Sequence, residues 1–155
     1  MNLYLELMGL VEKLNEADLP YALCGGVAVT LHGFVRATDD IDLLVPPPYV
    51  PLVKAVARKA GFCVQNADPM VFGRGTSREA IVHRVSKFEG EESLLLDLME
   101  VNDANRSAWK SRRAHKIYGT VLWAIGKKPL IAMKRQSGRP IDLTDIQGLE
   151  GLRES

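Results

Sequence analysis

Cysteine is scarce in this chain of 155 residues: there are only Cys24 and Cys63. Two such cysteines form neither a disulfide framework nor a metal-ligand spacing, and Cys24, set in an apolar run, reads as buried rather than reactive. The three histidines, His32, His83 and His115, show no ligand spacing either and read as structural or exposed. No apolar run approaches the ~20 residues that span a bilayer, so no membrane association is expected. The N-terminal stretch Met1-Asn2-Leu3-Tyr4-Leu5-Glu6-Leu7 lacks a basic lead and carries an acid. No signal peptide is therefore expected, and the expected location is cytoplasmic. Internal repeats, low-complexity tracts and linkers are also missing. With 46% hydrophobic and 25% charged residues, the composition is that of a globular protein. One domain over 1–155 is expected, with a core over about 21–126 and a helical tail over about 127–155.

Acid is missing from one long stretch. Between Ala104 and Arg139 there is no Asp or Glu, but there are ten Lys or Arg. Residues 1–103 carry 15 acids against nine bases, so the net charge of +1 hides a strong asymmetry. Such a segment suits an anionic ligand such as a nucleotide. It is equally consistent with a solvated helix face.

Glycine, by contrast, is placed with purpose. Gly25-Gly26 lies between a short apolar run, Tyr21 to Cys24, and a helical stretch expected over Val27 to His32. Thirteen residues separate Gly26 from Asp40-Ile41-Asp42, which opens the apolar run Leu43-Leu44-Val45. Side chains on a strand alternate faces, so Asp40 and Asp42 point the same way. Adjacent carboxylates repel each other and are costly to bury unpaired, which makes a bound cation the natural partner. A glycine pair at a strand–helix junction suits a backbone that approaches a phosphate closely. Asp97, embedded in Leu94-Leu95-Leu96-Asp97-Leu98-Met99, needs the same kind of compensation. If its strand neighbours that of Asp40 and Asp42, three hard oxygen ligands of the kind Mg²⁺ prefers converge.

Periodicity outlines the rest. Leu3, Leu7, Leu10, Val11 and Leu14 define an amphipathic first helix. Strands are expected over Tyr21–Cys24, Asp40–Val45, Phe62–Val64, Ala80–Phe88 and Leu94–Val101, with a hairpin turn at Glu89-Gly90-Glu91-Glu92. Lys116–Ile125, interrupted by Gly119, reads as one or two short strands. Helices are expected over Tyr49–Ala60, from Asn102 or Asp103 to about Arg112, over Lys127–Gln136 and over Asp142–Leu152. Residues 66–79 are polar and turn-rich; a mobile substrate loop at Gly73-Arg74-Gly75 and an ordinary connection are both open. The fold class is α+β, a mixed sheet flanked by helices with a short helical segment at the C-terminal end.

The combination of Leu23-Cys24-Gly25-Gly26, Asp40-Ile41-Asp42-Leu43 and a later Asp97 in an apolar strand resembles the nucleotidyltransferase superfamily with the polymerase-beta-like fold. The lead-in Arg36-Ala37-Thr38-Asp39-Asp40-Ile41-Asp42 is similar to the Arg-x-Thr-x-Asp-hydrophobic-Asp form of the AbiEii-like toxins and related minimal nucleotidyltransferases. Leu130-Ile131-Ala132-Met133-Lys134 and Arg139-Pro140-Ile141-Asp142-Leu143-Thr144-Asp145-Ile146 resemble a C-terminal segment of that group. Ile141 stands where the group has Lys.

The resemblance implies a Mg²⁺-dependent enzyme that moves a nucleoside monophosphate from an NTP such as ATP to a hydroxyl. Asp40, Asp42 and Asp97 are the implied catalytic and metal-binding residues, holding two Mg²⁺ ions. Gly25, Gly26, Arg36, Thr38 and Lys134 are the implied nucleotide-binding residues. The implied partners are the NTP, an RNA, protein or small-molecule acceptor, and a toxin–antitoxin partner protein. A non-catalytic binding partner in a toxin–antitoxin pair is the alternative. Simpler readings stand beside several residues. Asp97 can pair with Arg84, and Arg36 with Asp39. Lys134 can snorkel to water, and Asp142 and Asp145 can complement a helix dipole.

Overall fold

The computed structural model describes residues 1–66 and 68–152; Ala67 in the turn-rich stretch and residues 153–155 of the expected tail lie outside the described residues. Helix α1 (Leu3–Glu16) is capped by Asn2, whose Oδ1 accepts hydrogen bonds from the amides of Tyr4 and Leu5 at 3.0 and 3.2 Å. Leu7, Leu10, Val11 and Leu14 form its buried stripe, as their spacing requires. Strand β1 (Ala22–Cys24) runs into helix α2 (Gly25–Leu31), and strand β2 (Asp40–Val45) follows. The three prolines after β2 do not break the chain into a loop. Pro47–Tyr49 form a single 3₁₀ turn that feeds α3 (Val50–Lys59), because proline is well tolerated in a first helical turn.

Strands β3 (Val64–Gln65) and β4 (Met70–Phe72) come next, then the long hairpin β5 (Ala80–Glu89) and β6 (Glu92–Glu100). The short helix α4 (Arg106–Lys110), the hairpin β7 (Arg113–Ile117) and β8 (Thr120–Ala124), and helices α5 (Lys127–Ser137) and α6 (Pro140–Glu150) complete the order. Strand β4 lies inside the stretch expected to be irregular, paired through Val71 to Ile81. Helix α4 is far shorter than expected, since β7 begins at Arg113 rather than at Lys116.

Among the described residues the sheet has eight strands in the order β3-β5-β6-β2-β1-β8-β7, with β4 also pairing with β5. It is mixed: β2 runs parallel to β6 and β1 parallel to β8, and the other pairs are antiparallel. The central strands β2, β1 and β6 supply much of the core, including Leu23, Ile41, Leu43, Leu44, Leu96 and Leu98, each at most 1% exposed. This is the α+β arrangement expected, with helices packed on the sheet. Among the described residues no helix is long and apolar enough to cross a membrane.

Candidate active site

Strand register builds the centre of the site. In the parallel β2–β6 pair Asp42 lies beside Asp97, and Asp40 beside Leu95. Ile41 and Leu43 point into the core and are fully buried, which forces Asp40 and Asp42 onto the opposite face. One carboxylate oxygen from each of Asp40, Asp42 and Asp97 lies within 4.8 Å of the other two. The convergence raises the proton affinity of Asp42. Burial first, then the neighbouring charges of Asp40 and Asp97, push its carboxyl up to about 7, while Lys134 and Arg139 pull the other way.

One cation meets this cluster directly. The β5–β6 hairpin places Arg84 opposite Asp97, and its guanidinium donates to both carboxylate oxygens at 2.8 and 3.0 Å. Two readings of Asp97, as a member of the acid cluster and as a partner of Arg84, are therefore true together. Arg84 had a sequence signal: a hairpin turning at Gly90-Glu91 pairs residues whose numbers add to a constant, and that rule sets Arg84 against Asp97. Nearby, the Thr38 hydroxyl donates to Asp40 at 3.4 Å.

The glycine pair is required by the side chains around it. Gly25 has φ +65°, a region in which most side chains are strained. A Cβ there would also fall onto the Asp42 carboxylate. A Cβ on Gly26 would lie 2.7 Å from the Thr38 hydroxyl and 2.8 Å from an Arg36 guanidinium nitrogen. Removing both side chains lets Asp42, Thr38 and Arg36 close on the backbone. Helix α2 consequently begins at Gly25 itself, two residues before the expected start.

Beside the triad lies a second ionic group. Asp142 and Asp145 of α6 are fully buried. Arg36 donates to both oxygens of Asp145 at 2.7 and 2.8 Å. Lys134 Nζ sits 3.1 Å from Asp145 and 3.3 Å from Asp142. Arg139 donates to both oxygens of Asp142 at 2.8 and 3.1 Å, and Asp142 also accepts from its amide at 3.1 Å. Three cations thus face two acids. Burial alone would raise the proton affinity of both aspartates. Hydrogen bonds from Arg139 to Asp142 and from Arg36 to Asp145, with the charge of Lys134, outweigh it and hold both carboxyls below the usual range.

Lys134 is only 6% exposed, so its ammonium does not snorkel to water. The two aspartates do more than complement a helix dipole, and Arg36 pairs with Asp145 rather than with Asp39. No local periodicity announces this pairing, which spans 109 positions. One cue lay in Gly148, a helical turn after Asp145: a Cβ there would strike the ring of Phe34, so glycine lets α6 settle on the loop that carries Arg36.

Solved structures share this architecture. A Thermotoga maritima protein provisionally described as a nucleotidyltransferase superposes with a TM-score of 0.61 over 97% of this chain and 94% of its own, at 12% identity. The antibiotic-resistance factor ANT(2″)-Ia, solved with adenylyl-2″-tobramycin, gives a TM-score of 0.56 over 90% of this chain and 83% of its own, at 16% identity. An antigenic nucleotidyltransferase-like protein from Paracoccidioides brasiliensis gives 0.54 over 92% and 72%, at 19% identity. The chain has the nucleotidyltransferase fold. No protein-family model matches the sequence, and no curated protein matches it; the likeness is one of architecture. Within the nucleotidyltransferase fold of this chain, the acid triad lies on β2 and β6, and the glycine pair opens the helix after β1.

Proposed function

We propose that the protein is a Mg²⁺-dependent nucleotidyltransferase that moves a nucleoside monophosphate from an NTP to a hydroxyl and releases pyrophosphate. The observation that carries this reading is the convergence of Asp40, Asp42 and Asp97 within 4.8 Å, on a nucleotidyltransferase fold and against Gly25. The donor set fits Mg²⁺: the ligands are hard oxygens, and burial, with the neighbouring charges of Asp40 and Asp97, raises the proton affinity of Asp42, a penalty that a bound cation relieves. Asp40 and Asp42 would hold two ions and Asp97 one of them, and the bound metal supplies charge neutralisation to the phosphates.

The chain's own residues do the rest. The backbone at Gly25 and Gly26 receives the triphosphate. Arg36 and Lys134, whose cluster carries one positive charge more than its acids, draw the phosphates toward the triad. Thr38 steadies Asp40, and Arg84 fixes the orientation of Asp97. The acceptor oxygen attacks the α-phosphorus, the bond from that phosphorus to the bridging oxygen of pyrophosphate breaks, and the hydroxyl proton passes to Asp97. Catalysis then rests on positioning and charge neutralisation.

On the acceptor side, the resemblance to AbiEii-like toxins supports RNA or protein within a toxin–antitoxin pair, and the adenylyl-tobramycin bound to ANT(2″)-Ia supports a small molecule. The test incubates purified protein with Mg²⁺, α-labelled NTPs and, separately, total RNA, cell lysate and aminoglycosides. Label is expected on one acceptor class and is expected to vanish in Asp40→Ala and Asp42→Ala. Absence of transfer in every mixture, or full transfer by both variants, would overturn the proposal.

A further inference from the structure

The structure divides the acid-free segment. Of its ten basic residues, Arg106, Lys134, Arg135 and Arg139 stand in ion pairs. Among the described residues, Lys110, Arg112, Arg113, Lys116, Lys127 and Lys128 have no carboxylate within ion-pair distance. All of these except Lys116 line one cavity of about 490 Å³ between α4, β7 and the start of α5. His32 and His115 lie in the same wall with ring centroids 6.3 Å apart, and among the described residues no acid lines the cavity.

The cavity walls are tied together by specific contacts. The Gly126 amide, at the head of α5, donates to the Ser111 hydroxyl at 2.9 Å, and that hydroxyl donates to the Ala108 carbonyl at 2.6 Å. His32, just past the end of α2, is bonded through Nε2 to the Ile125 carbonyl at 2.8 Å. The Arg112 guanidinium lies 4.2 Å from the Trp109 ring centroid and 4.8 Å from that of Trp123. Two aromatic rings hold this charge in place on the face of β8 that carries Trp123, beside a second cavity lined by Glu12, Glu16 and Asp18. Lys110, Arg113, Lys127 and Lys128, gathered without a counter-charge among the described residues, repel one another, and a polyanionic ligand relieves that repulsion.

The cavity is also aligned with the triad. Strand β1 pairs with β2 at Cys24–Asp42 and with β8 at Leu23–Ala124, and Ala124 lines the cavity. Two strand spacings, roughly 10 Å, therefore separate the backbone of Ala124 from that of Asp42, with the Ala124 side chain on the Leu23 face of the sheet. Helix α5 gives the same measure: from Lys127 at the cavity to Lys134 beside the triad, seven residues rise about 10 Å. Two anion-attracting centres this far apart at one end of the sheet suit a chain of phosphates. A single triphosphate is served by the nearer one.

We infer that this cavity grips the sugar–phosphate backbone of a polynucleotide and that the polynucleotide is the acceptor, a second step that rests on the nucleotidyl-transfer reading above. The arginine fork of Arg113 matches phosphate oxygens, and the lysine ammonium groups match them as point charges. The gripped strand lies within a short reach of the carboxylates, which accounts for a basic site separate from the donor's.

The test is fluorescence anisotropy of the full chain with a labelled single-stranded RNA, without metal or NTP, across a salt series. Arg113→Ala, Lys127→Ala and Lys128→Ala are combined in one variant; none of the three side chains is buried, so folding is retained. The combined variant is expected to bind RNA about tenfold or more weakly, with a salt slope smaller by about 2, since each phosphate contact on a single strand adds about 0.7. A control variant combining Lys54→Ala, Arg58→Ala and Lys59→Ala on α3 is expected to bind as the parent does. ATP binding is expected to be equal in all three. Labelled single-stranded DNA that binds comparably supports recognition of the backbone. Three results overturn the inference: no RNA binding by the parent, undiminished binding by the cavity variant, or ATP binding that falls with RNA binding. Competition by poly-glutamate as effective as that by RNA overturns the polynucleotide assignment. RNA binding without label transfer to any acceptor removes the transferase reading and leaves the binding site. Transfer to protein or a small molecule by a chain that ignores RNA does the reverse.

Discussion

Two groups of aspartates sit side by side and have opposite electrostatic character. Asp142 and Asp145 are surrounded by Arg36, Lys134 and Arg139, and their carboxyls are held below the usual range. Among the described residues, Asp40, Asp42 and Asp97 have one direct cationic partner, Arg84, bonded to Asp97 alone, and Asp42 is pushed up to about 7. Burial acts on both groups in the same direction, so the difference lies in the cations. A saturated group fastens helices α5 and α6 to the loop before β2. An unsaturated group retains the capacity to bind a positive charge. Carboxylate count alone separates scaffold from site poorly; the balance of nearby cations separates them well.

The comparison breaks most visibly at Asp145. Asp145→Ala strands Arg36 and Lys134, and breaking a buried pair in this way costs about 3–5 kcal/mol. Chemical denaturation is expected to show a loss of that size with transfer activity falling alongside it. A loss below about 1 kcal/mol would mean that the cluster behaves as a surface salt bridge.

Asp42 is expected to respond in the opposite sense. Asp42→Asn removes a carboxylate from the proposed site and should lower nucleotidyl transfer by at least about 10²–10³-fold, the scale of losing one electrostatic stabiliser. The fold should gain stability at pH 8. A carboxyl raised in the folded state makes stability fall as pH rises from about 4, its unfolded value, to about 7, and the full loss persists above that. A shift of about three pH units sets an upper limit of about 4 kcal/mol. Thermal melts of both proteins at pH 5 and pH 8 check this. Equal pH dependence in the two would show that Asp42 carries no strain.

Removing or adding metal sharpens the same contrast. At pH 8 without Mg²⁺ the triad repels itself. Added Mg²⁺ is expected to raise the melting temperature, more at pH 8 than at pH 5, where Asp42 is protonated. The saturated pair works the other way: its contribution is present at neutral pH and is lost as pH falls through the depressed folded values. A Mg²⁺ effect that survives unchanged in Asp42→Asn would place the cation elsewhere.

The unsaturated group was far more legible in the sequence than the saturated one. Asp40 and Asp42 lie two apart on a strand whose alternate residues are buried, and Asp97 stands in an apolar run; local period fixes where each can point. The hairpin turn also set the partner of Asp97. Arg36 and Asp145 meet only because α6 folds back across the loop before β2, and no local pattern encodes that return. Arg36 and Lys134 were expected at the phosphates and are engaged by Asp145, so any action on the nucleotide comes from within that cluster. Strand β4 was unreadable for a related reason: three residues among turn formers have no period, and only pairing with Ile81 and its neighbours makes them a strand.

Arg84 offers the smallest and finest test, because it is the point where the unsaturated group is partly saturated. Its guanidinium makes two charge-assisted bonds to Asp97, and replacing it leaves the triad with no directly bonded cation. Without metal, Arg84→Gln is expected to lose about 1.5–3 kcal/mol, the range for hydrogen bonds to charged groups, reduced in proportion to the partial exposure of the side chain. With metal the order reverses: a site stripped of its resident positive charge attracts Mg²⁺ more strongly, so the stabilisation by Mg²⁺ should exceed that of the parent. Arg84→Lys keeps the charge and loses the fork, and should fall between them. If Mg²⁺ stabilises parent and Arg84→Gln equally, the guanidinium and the cation do not share Asp97, and the triad must be redrawn around Asp40 and Asp42 alone.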